Sequence, residues 1–329
     1  MGKTVITREL NRIHVVLGND SQDNNTSFSP HSSPLPPPVD PEKHPVLIRC
    51  FEELDQLVGL RRVKEFVREI YAWLEVGRRR AAAGLSSGQQ VLHMVFTGNP
   101  GTGKTTVARI LSKLLKEMGL LSKGHLVEVE RADLVGEYIG HTAQKTREHV
   151  KRALGGILFI DEAYSLARGG EKDFGKEAID TLVKSMEDHR EDFVLILAGY
   201  SLEMEHFMRS NPGLPSRFPI HLFFPDFTIE ELIEIADRML KMRQYRFSRS
   251  AREKLKRQLL KEMNQTSHPF GNARYIRNVI ERSIRHHAVR LLNEPYPSRE
   301  DLMTIRAEDL RFEEMFRNGF SIRGIINSE

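Results

Sequence analysis

A parallel α/β sheet followed by a smaller helical domain is the fold class that the sequence predicts. Five short apolar runs alternate with amphipathic segments of helical spacing, as is typical of a parallel sheet covered by helices. A glycine-rich phosphate-binding pattern follows the first run, at the point where a strand would lead into a helix. After Asp226 no further strand is predicted, and the remaining periodic segments all read as helices.

The five apolar runs are each short enough for a buried strand. They comprise residues 91–96, 126–129, 157–160, 193–198 and 220–224. Helices are predicted where apolar side chains recur every three or four positions. They comprise residues 61–83, 107–118, 228–242, 250–264 and 273–292. These elements divide the chain into an α/β domain over residues 46–226 and a helical domain over residues 227–312.

Both ends of the chain have weaker patterns. Residues 1–18 alternate apolar and polar side chains well enough to predict a short hairpin. Residues 19–45 are rich in Ser, Asn and Pro, so this segment cannot bury enough apolar surface to offset its chain entropy and is predicted to be a flexible linker. Residues 313–329 form a C-terminal tail.

Composition excludes several classes of protein. The formal charge of +4 arises from 49 basic and 45 acidic residues, an excess too small to imply a nucleic-acid partner. The local basic clusters at residues 78–80 and 285–290 are expected to be solvated helix faces. No apolar run is long enough to cross a membrane, and residues 1–20 do not resemble a signal peptide. With Cys50 as the only cysteine, a cytoplasmic location is expected.

The pattern G-x-x-x-x-G-K-S/T predicts a phosphate-binding loop, or Walker A motif. Its residues are Gly98, Asn99, Pro100, Gly101, Thr102, Gly103, Lys104 and Thr105, and Thr106 follows them in the helix. Glycines allow backbone N–H groups to wrap a phosphate, while Lys104 reaches the β and γ phosphates of a nucleotide. The hydroxyl of Thr105 is suited to Mg²⁺. ATP and Mg²⁺ are therefore the predicted ligands.

A second motif, which is acidic, follows the third predicted strand. Asp161 and Glu162 end an apolar run, as in a Walker B motif. Asp161 is suited to hold Mg²⁺ through water, and Glu162 is suited to polarise the water that attacks the γ-phosphate. A strand that delivers two carboxylates beside a phosphate site suits an ATPase.

Two other readings of local motifs are excluded. The triplet Asp173-Phe174-Gly175 matches a kinase magnesium motif, but the only similar partner motif, His189-Arg190-Glu191, comes after it and lacks the aspartate. No zinc-binding spacing of Cys and His is present, although the chain has 13 histidines.

Several sequence motifs of this chain resemble those of the AAA+ ATPases of the CbbX group. The resemblance covers about residues 53–310, without the linker, and is carried by three stretches: residues 121–126, residues 137–143 and residues 155–171. It implies an AAA+ P-loop three-layer domain followed by a helical lid. It also implies a homo-oligomeric ring, expected to be a hexamer, and within the group it points to a member that acts in endospore formation.

The resemblance implies roles for residues outside the Walker motifs. Val58 and Gly59 match the segment that packs on adenine, and Arg217 matches the arginine finger that reaches a neighbouring subunit's γ-phosphate. Arg274 matches the sensor 2 arginine of the lid. The sensor 1 position departs from the family pattern, so Tyr200 is named for it, with Ser201 as the alternative.

Residues Tyr138, Ile139 and Gly140 match the loop that lines the central pore in the resembling proteins. An aromatic side chain there would grip an extended polypeptide. Residues 169–175 are either a second pore loop or an ordinary polar loop. Two functions remain: a ring motor that hydrolyses ATP and threads a protein client, or a nucleotide-gated scaffold or DNA-acting loader. Tyr138 favours the motor, and the identity of the client is not predicted.

Overall fold

The computed structural model describes residues 44–86, 91–138, 140–169, 173–190, 192–264 and 269–312. The predicted hairpin, nearly all of the predicted linker, the C-terminal tail and the pore-loop candidate Ile139 lie outside these ranges. The described chain divides into two compact units. One is built around a sheet, and the other is built around helices and includes the loop Gly98–Gly103.

The sheet of the first unit has five strands in the order β2-β3-β4-β1-β5. The strands are β1 Met94–Gly98, β2 Leu126–Val129, β3 Ile157–Ile160, β4 Val194–Gly199 and β5 Ile220–Phe224. Parallel pairing joins β2 to β3, β3 to β4 and β4 to β1. The five predicted strands are thereby confirmed, and β2, β3 and β5 have the predicted bounds.

Strand β1 begins three residues later than predicted because of His93. The ring Nδ1 of this buried histidine accepts a hydrogen bond from the backbone N–H of Leu195 at 3.0 Å. A side chain therefore takes the place of a ladder partner, and regular pairing starts at Met94 opposite Ile196. Strands β1 and β4 each continue to a glycine at the carboxyl edge of the sheet, Gly98 and Gly199.

Within the described residues of the first unit, eight helices accompany these strands. They are α1 Pro45–Asp55, α2 Arg61–Ala82, α3 Lys104–Glu117, α4 Arg131–Leu134, α5 His141–Ala153, α6 Gly175–Asp188, α7 Ser201–Ser210 and α8 Leu214–Arg217. A 3₁₀ helix, Ala163–Ala167, follows β3. One face of the sheet packs against α4 to α8 in a cluster that contains Val95, Leu158, Leu195 and Leu197.

Helix α1 begins at Pro45, the last residue assigned to the predicted linker, and it is not predicted from the sequence. Four of its side chains are buried, including Cys50 and Phe51, and it packs against α3. Proline at the first helical position is favourable since its missing N–H would have no partner there. The abundance of proline before residue 45 hides this start from a reading based on composition.

The second unit is helical, with one small sheet. Its elements are α9 Ile229–Met242, β6 Arg246–Phe247, α10 Arg249–Met263, α11 Asn272–Leu292, α12 Arg299–Met303 and β7 Thr304–Ile305. The helices α9, α10 and α11 confirm the prediction to within a residue at each end. The prediction that no strand follows Asp226 is wrong, because β6 and β7 form a parallel pair. Each has two residues, which are too few to give a periodic signal in the sequence.

Side-chain caps fix where these helices begin. Thr228 accepts a hydrogen bond from the backbone N–H of Glu231, and Ser248 accepts one from Ala251. Each cap satisfies an N–H group that the first helical turn leaves without a partner. Among the helices of the described ranges, none is both long enough and apolar enough to cross a membrane.

Candidate functional site

The loop from β1 to α3 has the backbone conformation that its glycines permit. Gly98, Gly101 and Gly103 have φ angles of 146°, 73° and 99°, a region that other residues rarely enter. The loop is closed from within, because the buried hydroxyl of Thr102 donates a hydrogen bond to the carbonyl of Asn99 at 2.8 Å. This is the geometry in which consecutive N–H groups form a concave anion site.

The same loop packs against the beginning of α11 within the second unit. The backbone N–H of Ala273 donates to the carbonyl of Gly101 at 3.2 Å. A Cβ atom on Gly101 would lie 2.4 Å from the carbonyl oxygen of Gly271 and 2.7 Å from the backbone nitrogen of Arg274. The sensor 2 candidate Arg274 therefore lies in the first turn of α11, directly beside the loop, and its side chain is exposed.

A cluster around Asp226 fixes this packing, and sequence reasoning did not find it. The carboxylate of Asp226 accepts hydrogen bonds from the amide of Asn99, at 2.9 and 3.0 Å, and from Asn272 Nδ2 at 2.7 Å. Asn272 is fully buried at a φ of 47°, and its Oδ1 accepts from the N–H of Phe227 at 2.9 Å. The three polar residues are too far apart in the chain for a local motif to connect them.

Helix α3 begins with the last residues of the phosphate-loop motif. Lys104 is its first residue, Thr105 is partly buried beside it, and Thr106 is exposed. Helix N-termini attract anions because their first N–H groups have no partner within the helix. The order of strand, glycine loop and helix start is therefore the one that the motif predicts.

The acidic pair lies at the carboxyl end of β3. The backbone N–H of Asp161 donates to the carbonyl of Val129 on the neighbouring strand at 3.0 Å. Glu162 follows at a φ of 47° with an exposed side chain, and its N–H donates to Asp161 Oδ1 at 3.0 Å. A left-handed conformation at a residue other than glycine is often found at functional positions. The hydroxyl of Thr105 and the carboxylate of Asp161 are hard oxygen donors, which fit Mg²⁺.

The sensor 1 candidates Tyr200 and Ser201 follow the end of β4. The rings of Tyr200 and Tyr164 stack with their centroids 5.8 Å apart, and a Cβ atom on Gly199 would lie 2.7 Å from Tyr164 Cδ1. Burial, followed by the charge of Glu162, raises the pKa of Tyr164 to about 12. Tyr164 thus occupies space that a side chain at position 199 would need. Tyr200 is the N-cap of α7 and Ser201 its first residue, so both candidates remain.

The arginine-finger candidate is held by its own subunit. Arg217 ends α8, and its guanidinium donates to the carbonyl of Gly213 at 2.8 Å and forms an ion pair with Glu187 at the end of α6. The side chain of Arg217 is 29% exposed and that of Glu187 is 59% exposed. The guanidinium of Arg217 is therefore oriented within the subunit and remains partly exposed.

The adenine-segment candidate is a turn between α1 and α2. Val58 is buried, and Gly59 and Leu60 have φ angles of 61° and 54°. The ammonium of Lys64 fixes the turn by donating to the carbonyls of Leu57, at 2.5 Å, and Asp55, at 3.1 Å.

The pore-loop candidate Tyr138 is 65% exposed, and its ring contacts that of His141 edge to face at 5.4 Å. Gly140 has a φ of 84° and precedes α5. The base of the loop is fixed, because Gly136 N–H donates to the hydroxyl of Thr142 at 2.9 Å. Residues 170–172 of the second candidate loop lie outside the described ranges, and its last part, from Asp173, is held by Arg131.

Comparison with known proteins identifies the family. Residues 94–226 match the model of the ATPase family associated with various cellular activities (AAA), and residues 228–319 match the AAA lid domain. The chain is 60% identical over 273 residues to stage V sporulation protein K of Bacillus subtilis strain 168, covering 83% of this chain and 85% of that protein. It is 49% identical over 273 residues to CbbX of Cereibacter sphaeroides, covering 82% and 87%. The chain belongs to the AAA+ ATPases of the CbbX group.

The chain is also similar to proteins whose names describe other roles. It is 48% identical over 270 residues to the chloroplastic ribulose bisphosphate carboxylase/oxygenase activase of Cyanidioschyzon merolae, covering 81% of this chain and 92% of that protein. Among solved structures it is similar to the RuvB Holliday junction branch migration motor of Thermotoga maritima, with a TM-score of 0.52 at 21% identity, covering 78% and 69%. It is also similar to the FIGL-1 AAA domain in complex with ADP, with a TM-score of 0.53 at 16% identity, covering 83% and 85%. These structures share the AAA+ fold.

Proposed function

We propose that this AAA+ chain is an ATP-hydrolysing ring motor that remodels a protein client by drawing it through a central pore. The observation that carries the proposal is the exposed ring of Tyr138 on a loop with a fixed base. Apart from its edge contact with His141, this large aromatic side chain has most of its surface in water. It is well suited to grip an extended chain irrespective of that chain's sequence.

Hydrolysis of ATP to ADP and phosphate is assigned to the residues at the carboxyl edge of the sheet. Residues Gly98–Gly103 wrap the phosphates with backbone N–H groups, and Lys104 neutralises the β and γ phosphates. Thr105 and, through water, Asp161 would hold Mg²⁺, which supplies positive charge to the transferring phosphoryl group. The carboxylate of Glu162 accepts a proton from the attacking water.

The remaining residues make turnover depend on assembly. Arg217 leaves Glu187 and contacts the γ-phosphate held by a neighbouring subunit, where a cation stabilises transition-state charge. Arg274, beside the phosphate loop, contacts phosphate from the lid of the same chain. Tyr200 or Ser201 positions the attacking water, and Val58 and Gly59 pack on adenine. A ring of six subunits is the proposed assembly, as AAA+ proteins typically form rings.

A cytoplasmic role in endospore formation is the cellular setting that we propose. The support for it is the 60% identity to the Bacillus subtilis sporulation protein, which extends over most of both chains. The alternative of a nucleotide-gated scaffold or DNA-acting loader has weaker support. The resemblance to RuvB concerns the fold alone at 21% identity.

The test compares Tyr138→Ala, which removes the exposed aromatic ring, with Glu162→Gln, which removes the proposed base. Proteins captured in cells on Glu162→Gln rings are identified and then offered to purified rings of the parent and of Tyr138→Ala. The parent is expected to convert the captured client to a protease-sensitive form in the presence of ATP. Tyr138→Ala is expected to assemble and hydrolyse ATP but not to convert the client, because only the grip is removed.

The Glu162→Gln ring is the matched control. It keeps Tyr138 but is expected to lose roughly 10²- to 10⁴-fold in turnover while it still binds ATP. Client conversion by Tyr138→Ala at the parental rate would exclude threading and favour the scaffold. Parental ATP turnover by Glu162→Gln would exclude Glu162 as the base.

A further inference from the structure

One guanidinium joins three segments of the first unit. Arg131 opens α4, and its Nη1 donates to the carbonyl of Ser165 at 2.6 Å while its Nη2 donates to Asp173 Oδ1 at 2.6 Å. The side chain of Arg131 is 33% exposed and that of Asp173 is 10% exposed. Both hydrogen bonds are short and join the guanidinium to a fixed backbone and a nearly buried carboxylate. The planar fork of arginine can serve two acceptors at once in this way.

The residues around this guanidinium are closely packed. Asp173 Oδ1 also accepts the backbone N–H of Gly175 at 3.0 Å, which fixes the first turn of α6. A Cβ atom on Gly175 would lie 2.0 Å from the carbonyl oxygen of Leu166 and 3.0 Å from Arg131 Nη1. The hydrogen bond from Arg131 lowers the pKa of Asp173, which favours the ionised carboxylate. This accounts for the aspartate and glycine of the triplet that mimics a kinase motif.

On one side, the guanidinium is connected to the acidic pair. Ser165 lies in the 3₁₀ helix that begins directly after Glu162, and its N–H donates to the carbonyl of Glu162 at 2.8 Å. Since the carbonyl of Ser165 is the acceptor for Arg131, a shift of this short helix changes the position of the guanidinium.

On the other side, the guanidinium is connected to both candidate pore loops. Arg131 is the first residue of the helix that leads into the Tyr138 loop, and the end of that helix is held by α5. Lys145 Nζ donates to the carbonyl of Val135 at 3.2 Å, and Thr146 Oγ1 donates to that of Leu134 at 3.3 Å. Asp173 ends the second candidate loop. The side chain of Arg131 thus holds the end of the second candidate loop, while its backbone opens the helix that leads into the Tyr138 loop.

We infer that Arg131 is a positioning residue that transmits displacement of the segment after Glu162 to the Tyr138 loop and to the loop that ends at Asp173. This inference rests on the proposed motor function and names the side chain that links the ATP site to the Tyr138 loop. A partly buried ion pair with a purely structural role would affect stability alone. A coupling role also changes how the loop responds to nucleotide.

The test places a reporter on the loop. Glu137 is exposed next to Tyr138, so Glu137→Cys accepts a maleimide fluorophore that is sensitive to its surroundings. The native Cys50 is 1% exposed, and burial raises its thiol pKa to about 11, so it will not compete for the label. Labelled full-length rings are measured with ADP and with a non-hydrolysable ATP analogue.

The expected result is a nucleotide-dependent change in fluorescence in the labelled parent and loss of that change in Arg131→Gln. The matched control is Arg109→Gln, which removes a similar 2.6 Å ion pair, to Glu128, between side chains that are 59% and 48% exposed. It should keep the parental change, because it connects neither loop to the acidic pair. ATP binding should be retained in both variants.

A second variant separates coupling from folding. Asp173→Asn keeps an oxygen that can accept the N–H of Gly175 but removes the charge that holds Arg131, so it should also diminish the change while thermal unfolding shows a folded ring. A parental change in folded Arg131→Gln or Asp173→Asn rings overturns the inference and leaves the motor proposal standing. A labelled parent that hydrolyses no ATP overturns the motor proposal itself, and the inference with it.

Discussion

His93 shows how one side chain can set both a strand boundary and a response to acid. Its ring is 3% exposed, lies 5.8 Å from the ring of Phe193, and accepts the backbone N–H of Leu195. A protonated imidazole has no lone pair for that N–H, and its charge would be buried. Burial therefore lowers the pKa of His93 to about 4.

We predict that the free energy of unfolding falls between pH 6.5 and about 4 through His93. The folded pKa lies below the unfolded value, so the contribution is complete above pH 6.5 and is lost as the pH falls through this window. The difference in pKa corresponds to roughly 3 kcal/mol. Equilibrium denaturation across this range measures it. His93→Gln, which retains a neutral acceptor, should be less stable at neutral pH but show a flatter dependence; an equally steep dependence would contradict the assignment.

At the scale of elements, the helices and strands were predictable from the local pattern of apolar residues. Contacts between segments distant in the chain were not. The sequence predicts β2, β3 and β5 because each is a short run of mostly apolar residues. It does not reveal that Asn99 and Asn272 meet at Asp226, or that Arg131 meets Asp173, because these pairs are set by how loops return to one another. The phosphate loop was found since all of its chemistry lies within eight consecutive residues.

We predict that Gly101→Ala destabilises the chain and weakens ATP binding beyond the effect of strain alone. Gly101 has a φ of 73°, and an added Cβ would lie 2.4 Å from the carbonyl oxygen of Gly271. Gly119→Ala is the matched control, because Gly119 has a φ of 75° with no atom within 4 Å of an added Cβ. The control should lose about 1–3 kcal/mol of stability and no ATP affinity. Equal losses of stability and affinity in the two variants would contradict the proposed clash.

At the scale of the whole molecule, the ion pair between Arg217 and Glu187 bears on the proposal that subunits share an active site. Within the subunit, Glu187 orients the guanidinium on a largely exposed surface. If the finger acts on a neighbour, each interface combines Glu162 from one chain with Arg217 from the next. Neither variant alone then supplies a complete interface.

We predict that mixing Arg217→Ala chains with Glu162→Gln chains restores part of the ATPase activity. Some interfaces then pair an intact Glu162 with an intact Arg217, and the activity should pass through a maximum as the mixing ratio is varied. Mixing Lys104→Ala with Glu162→Gln is the control and should restore none, because both changes damage the nucleotide site of their own chain. Failure of the first mixture at every ratio would show that Arg217 is not a finger in trans.

The Asp226 cluster also makes the packing of the phosphate loop sensitive to deamidation of Asn272. Asn272 uses its amide nitrogen toward Asp226 and its amide oxygen toward the N–H of Phe227. Deamidation would keep the acceptor but replace the donor with a second carboxylate at 2.7 Å from the first, in a fully buried position. The loss of one ammonia molecule at residue 272 would therefore loosen the phosphate loop, at a point more than 160 residues away in the chain.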